Sequence, residues 1–192
     1  MSANLRAYTK TIYGFDHVMR LVPDDAWPNA SPCEGWTARD VVGHVIAVQR
    51  YIESLIVGAE PPMNPYEHPG RFAGDDPLTT WTATRDDLLA LLDEPHIVHR
   101  TVQSFRGEEE IDAVIGWNVV DTLTHAWDLG RAAGVDDQLD PSSVAHALAH
   151  AAPMIEHMRQ PPYFGDAVSI AGNDDEGAEP QTQLLIMLGR RP

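Results

Sequence analysis

The chain is expected to be mainly α, a four-helix bundle with long connections and a small C-terminal helical or α+β addendum. Three observations predict this class. Apolar residues recur at three- and four-residue steps through four long segments. Each segment is bounded by a capping residue, a proline or a glycine. Strand character is confined to short runs with weak alternation. The bundle is assigned to residues 1–135, and residues 136–192 to a C-terminal helix and short tail packed on it.

The first helix runs from Ala3 to Val22, placing Leu5, Tyr8, Ile12, Phe15, Val18 or Met19, and Val22 on one face, and Pro23 ends it. Thr37 opens the second, with Asp40 three positions on as a capping-box-like start. Its apolar face reads Val41, Val45, Val48, Ile52, Leu55 and Ile56, and Gly58 is its stop. Residues 59–76 contain Pro61, Pro62, Pro65 and Pro69 and read as a long irregular connection. A third helix starts at Pro77, in the first-turn position that proline favours. It runs to Leu92 with Trp81, Leu88, Leu89 and Leu92 inward. Ile97 to Phe105 reads as a short strand before Arg106-Gly107. The most apolar helix spans Ile111 to Ala133, with Gly134 as its cap. A further helix is placed from Pro141 to about Met158, then a strand near Ala167 to Ile170. An acidic turn at Asp174 to Glu179 and a final apolar turn at Leu184 to Leu188 complete the chain.

Composition narrows the function. With 192 residues, 43% of them apolar and 22% charged, the chain suits one globular domain. Its formal charge of −16, with Lys10 the only lysine, offers no basic stripe for phosphate backbones or anionic membranes. No nucleic acid and no membrane is therefore expected as a partner. No apolar stretch approaches the roughly 18 residues a membrane span needs, and no leader pattern is visible. The single cysteine, Cys33, rules out an intramolecular disulfide and fits a cytoplasmic setting.

Chemistry concentrates in two helices. Asp121 and His125 stand four apart, which on a helix puts their Cβ atoms roughly 5–6 Å apart on one face. Both lie in a strongly apolar segment, where an unpaired carboxylate is costly and a metal would neutralise it. His44 sits beside the buried stripe of the second helix. Read alone, it is a core histidine bonded to a carbonyl, and the 121/125 pair is a hydrogen-bonded or surface pair. Taken together, two nitrogens and one oxygen on facing helices match an open divalent site. Asp128, one turn beyond His125, is placed either to hold the free ring N–H of His125 or to pair with Arg131. His146 and His150 form a rival i, i+4 pair whose third ligand would be Glu156 or His157. His17, His68, His96 and His99 read as surface residues. Trp36, Trp117 and Trp127 read as core, and Cys33 as loop packing.

Two runs carry a family resemblance. The run Pro32-Cys33-Glu34-Gly35-Trp36-Thr37-Ala38-Arg39-Asp40-Val41-Val42-Gly43-His44 resembles the first signature of the mycothiol-dependent maleylpyruvate isomerase-like proteins. These are a branch of the DinB-like metal-binding superfamily. The run Asp121-Thr122-Leu123-Thr124-His125-Ala126-Trp127-Asp128-Leu129 is similar to the second signature, and Leu184 to Pro192 resembles the tail of an actinobacterial subgroup. The resemblance implies a DinB-like bundle with His44, Asp121 and His125 as metal ligands. Asp121 stands where the characterised isomerase has a glutamate. The implied cofactors are a divalent metal (zinc foremost, nickel or iron also compatible) and mycothiol as cosubstrate.

The implied activity is that of a thiol transferase or isomerase. It activates the thiol as a metal-bound thiolate, without an assigned protein base, for attack on an electrophilic substrate. Arg39, Arg85, Arg100 and Arg106 are candidate carboxylate clamps, and a homodimer is compatible. The alternatives are a non-catalytic metal-binding or interaction protein of the same fold, and a metal-free helical dimer module.

Overall fold

Polar caps set where the chain turns. A computed structural model describes residues 1–61, 64–155 and 178–192. Ser2 starts α1 (Ala3–Leu21) by accepting from the Leu5 amide at 3.0 Å. Thr37 and Asp40 close the expected capping box on α2 (Ala38–Val57), which ends in left-handed Gly58. Asp76 caps α3 (Pro77–Leu92) through the Thr79 amide, and Asp140 caps α5 (Pro141–Ala151) through that of Ser143. Between them lies α4 (Ile111–Ala133), ended by left-handed Gly134. After the described gap, α6 (Pro180–Met187) packs on α5.

The bundle proper is α1 to α4: α1 lies along α4, and α2 packs on both α3 and α4. Its core interleaves Tyr8, Ile12 and Phe15 with Val41, Val45 and Ile52, Trp81 and Leu88, and Ile115, Val119 and Leu129. One polar knot is sealed inside. Gln49 accepts from Tyr8 and donates to Asn118 Oδ1 at 3.1 Å and Thr122 Oγ1 at 3.3 Å. Gln49 has no solvent exposure, so each of these bonds replaces water that cannot reach it. The knot therefore locks the register of α2 against α4 within two turns of His44 and beside Asp121.

Four expectations change. The supposed irregular stretch 59–76 contains a 3-10 turn, Pro69–Ala73, lying on α2. With α3 and α4 it covers α2, which is buried at every residue from Val41 to Ala47, so the stripe is wider than its spacing implied, while Val48 is only partly covered. The run Ile97 to Phe105 is a 3-10 turn, Ile97–His99, followed by β1 (Thr101–Ser104). Acidic β2 (Gly107–Glu110), which lacks strand character in sequence, pairs with β1 in an antiparallel hairpin. Leu184 to Leu188 belongs largely to α6 rather than to a turn. The helix expected from Pro141 to about Met158 stops at Ala151, because Pro153 has no N–H to continue it. The expected strand at Ala167 to Ile170 and most of the acidic turn at Asp174 to Glu179 lie outside the described residues. Among the described residues, no helix is long and apolar enough to cross a membrane.

Two positions near α2 carry expected outcomes. A Cβ on Gly43 would lie 2.0 Å from the Pro69 carbonyl oxygen. Gly43→Ala should therefore push the 3-10 turn off α2 and destabilise by about 1–3 kcal/mol in denaturant melts. Asp40 accepts from the Thr37 amide at 2.9 Å, the Thr37 hydroxyl at 2.6 Å and the Gly70 amide at 3.0 Å. Partial burial pushes its carboxyl up, but these bonds outweigh burial and hold it below the ordinary value. That stabilisation is present above the unfolded value of about 3.9 and fades as pH drops through the lower folded value. Asp40→Asn should thus melt earlier than wild type at pH 7, with the gap closing below about pH 4. A gap that persists unchanged in acid would contradict this.

Candidate metal centre

The three expected ligands converge between α2 and α4. Their donor atoms all lie within 4.8 Å of one another. His44 and His125 are 1% and 6% exposed, and the Asp121 side chain 26%.

Each imidazole is held from behind. His44 Nδ1–H donates to the Pro65 carbonyl at 3.2 Å, and His125 Nδ1–H donates to Asp128 Oδ2 at 2.9 Å. Asp128 is fully buried. Burial pushes its carboxyl up, but the bonds from His125 and Arg190 outweigh that and hold it at about 2. A carbonyl and an ionised carboxylate can only accept, so both Nδ1 atoms carry a proton, and the neutral form of each ring presents its Nε2 lone pair to the site.

Those lone pairs face one oxygen. Asp121 Oδ1 lies 3.4 Å from His44 Nε2 and 3.6 Å from His125 Nε2. Hydrogen bonds between an imidazolium and a carboxylate close to about 2.7–2.9 Å, shorter than either distance. Tetrahedral ligand arms of about 2.0–2.2 Å instead hold donor atoms about 3.3–3.6 Å apart. Asp121 Oδ2 is also buried without a hydrogen-bond partner. The spacing, the lone pairs and the orphaned oxygen all fit a divalent cation seated among the three. Burial pushes the Asp121 carboxyl up, but its interactions with His44 and His125 outweigh burial and hold it below the ordinary value.

Aromatic side chains wall the centre. The Trp36 ring centroid lies 4.9 Å from that of His44, and the ring stacks on His125 at 5.8 Å and 26°. Tyr66 stands 5.1 Å from His44 on the other side. Trp36 was expected in the core, yet it is half-buried at the site, whereas Trp127 is core and Trp117 packs on His150.

Asp128 takes the first of its two expected roles, since Arg131 pairs with Asp137 at 3.2 Å. The four candidate arginine clamps are engaged elsewhere. Arg39 bonds the Gly74 carbonyl, and Arg85 pairs with Asp16 and Asp86. Arg100 bonds the last carbonyls of α2, and Arg106 pairs with Glu109. The arginine at the site is Arg190, which sequence reasoning passed over: it binds Asp128 and touches Cys33. Cys33, His125 and Asp128 form a second donor group, but the Arg190 guanidinium already occupies it. Burial, then the Asp128 charge, push the Cys33 thiol well above its ordinary value. It packs as a protonated thiol, as its loop position suggested.

The rival pair is apart from all this. His146 and His150 stack 6.2 Å apart, and His146 bonds Asn4 at 3.1 Å. Among the described residues no third His, Cys, Asp or Glu joins them, and Glu156 and His157 lie outside those residues. His17, His68, His96 and His99 are exposed, as expected.

Comparison with known proteins agrees with the fold. The sequence is 28% identical over 192 residues to uncharacterized proteins of Mycobacterium tuberculosis strains CDC 1551 / Oshkosh and ATCC 25618 / H37Rv, covering 97% of each chain. The fold matches a crystal structure of a histidine-to-alanine mutant of the mycothiol-dependent maleylpyruvate isomerase. That match has a TM-score of 0.55 at 19% identity and covers 79% of this chain and 68% of that one. The profile of the mycothiol maleylpyruvate isomerase N-terminal domain matches residues 13–130, and the chain belongs to that family.

Proposed function

We propose that the chain is a divalent-metal protein, His44, Asp121 and His125 being the ligands, that activates a low-molecular-weight thiol for transfer or isomerisation. One observation carries the metal half of the reading. Two imidazole Nε2 atoms and a carboxylate oxygen meet at 3.4 and 3.6 Å with both rings anchored from behind. The thiol half rests on family membership: the matched domain is named for mycothiol, and the structural relative is a mycothiol-dependent isomerase. Zinc is the foremost candidate for a centre of two nitrogens and one oxygen, with nickel or iron compatible.

A divalent cation bound there supplies Lewis acidity that favours the deprotonated form of an incoming thiol near neutral pH. The chain's own residues do the rest. Pro65 and Asp128 fix both imidazoles in the tautomer that points Nε2 inward. Asp121 balances the charge. Trp36 and Tyr66 border the two rings and limit the direction from which a substrate can approach. No ionised protein nucleophile is supplied, since Cys33 is held protonated. The reacting thiol therefore has to come from the cosubstrate, which is to attack an electrophilic second substrate.

The triad carries a direct expectation. His44→Ala, Asp121→Ala and His125→Ala should each abolish stoichiometric divalent metal in protein purified without a histidine tag, measured by elemental analysis. Metal retained at wild-type level in all three would reject the proposed ligands. Thiol activation is read separately, by mixing the metal-loaded chain with mycothiol and maleylpyruvate or a haloalkyl electrophile. Metal-dependent consumption of the thiol, absent in His125→Ala, is expected. Stoichiometric metal with no thiol turnover across a broad electrophile panel would leave a metal-binding protein without this activity.

A further inference from the structure

The segment after α6 reaches back to the metal centre by a route that its sequence position does not suggest. Leu184, Leu185, Ile186 and Leu188 are all buried and anchor α6. Gly189 follows at φ 80°, a left-handed turn that glycine adopts without strain. The turn is closed by the Gly189 amide on the Ile186 carbonyl at 3.0 Å and the Arg190 amide on the Leu185 carbonyl at 2.8 Å. Arg190 thus leaves a fixed backbone and points at α4. Its Nε donates to Asp128 Oδ1 at 2.9 Å and its Nη2 to Asp128 Oδ2 at 2.8 Å, while Nη1 is spent on the Leu188 carbonyl at 3.2 Å. The guanidinium is 15% exposed and Asp128 is not exposed at all. A two-pronged bond of this kind fixes the plane of a carboxylate, which a single ammonium cannot do.

We propose that Arg190 is a positioning residue for the metal centre, acting through Asp128 on His125. The proposal rests on His125 being a ligand, as read above. The guanidinium holds the Asp128 carboxylate in one plane. In that plane Oδ2 accepts from His125 Nδ1–H at 2.9 Å and turns Nε2 toward Asp121. A ligand histidine whose remote nitrogen loses such a partner binds metal about 10–100-fold more weakly. The turn that follows α6 is therefore part of the machinery that sets metal affinity. A plain staple between α6 and α4 would need only the ion pair. The Arg190–Asp128–His125 chain is aligned end to end and stops at the ligand face.

Arg190→Ala leaves a buried carboxylate unpaired and risks unfolding, so Arg190→Lys, which keeps the charge and loses the fork, carries the test. Arg191→Lys, its exposed neighbour, is the control. Two quantities are measured in the full chain: cobalt affinity from the visible absorption of the Co(II) protein, and the ring ¹⁵N shifts of His125 without metal. In wild type the shifts should report one tautomer, protonated at Nδ1. In Arg190→Lys they should move toward a mixture and cobalt affinity should fall about tenfold or more, while Arg191→Lys changes neither. If Arg190→Lys lowers only the melting temperature, with ring shifts and cobalt affinity as in wild type, Arg190 is a staple and the proposal is overturned. If wild type itself takes up no cobalt, the metal reading fails, and the ring shifts alone then decide whether Arg190 orients His125.

Discussion

A carboxylate set between two imidazoles whose Nδ1 protons are both committed elsewhere is the constraint around which the rest of this molecule is arranged. Asp121 Oδ1 lies 3.4 Å from His44 Nε2 and 3.6 Å from His125 Nε2, and each ring commits its Nδ1 proton elsewhere. In a low-dielectric interior such a charge is tolerated only when something positive sits beside it. Family membership and fold place the chain among proteins named for mycothiol and maleylpyruvate isomerase. The arrangement of donor atoms is the physical basis for the proposed divalent ion.

Much of the fold can be understood as support for those two tautomers. His44 needs the Pro65 carbonyl, which needs the 60s connection to lie down on α2. That approach is possible because position 43 is glycine and because the Gly70 amide is tied to Asp40 in the α2 capping box. His125 needs Asp128 ionised inside the protein, which needs Arg190 and hence the Gly189 turn after α6. The Gln49 knot sets α2 against α4 so that the two histidines face each other, ring centroids 4.8 Å apart. Local caps, backbone turns and buried polar bonds thus converge on a few atoms.

What could be read from the sequence followed from periodic and short-range signals. The bounds of α1 to α4 were legible because Thr37, Pro77, Gly58 and Gly134 act locally on the backbone. The triad was legible because Asp121 and His125 share a helix face and His44 adjoins a buried stripe. Elements fixed by distant contacts were not. Nothing in Gly107-Glu108-Glu109-Glu110 signals a strand, since that run is acidic and pairs only because the turn at Phe105-Arg106 folds it back on Thr101–Ser104. Trp36 looked like core because a tryptophan beside a helix cap usually is, and only the tertiary packing turns its ring onto His125. Arg190 lies 62 residues from Asp128, and no sequence spacing could link them. The Gly189-Arg190 pair after an apolar helix was its only local trace.

The most direct measurement is anomalous diffraction at the zinc edge from crystals of the metal-loaded chain. A single peak about 2.0–2.2 Å from His44 Nε2, His125 Nε2 and an Asp121 oxygen is expected. A peak elsewhere, or a zinc-free centre in which those side chains point apart or meet packed hydrocarbon, would contradict the account.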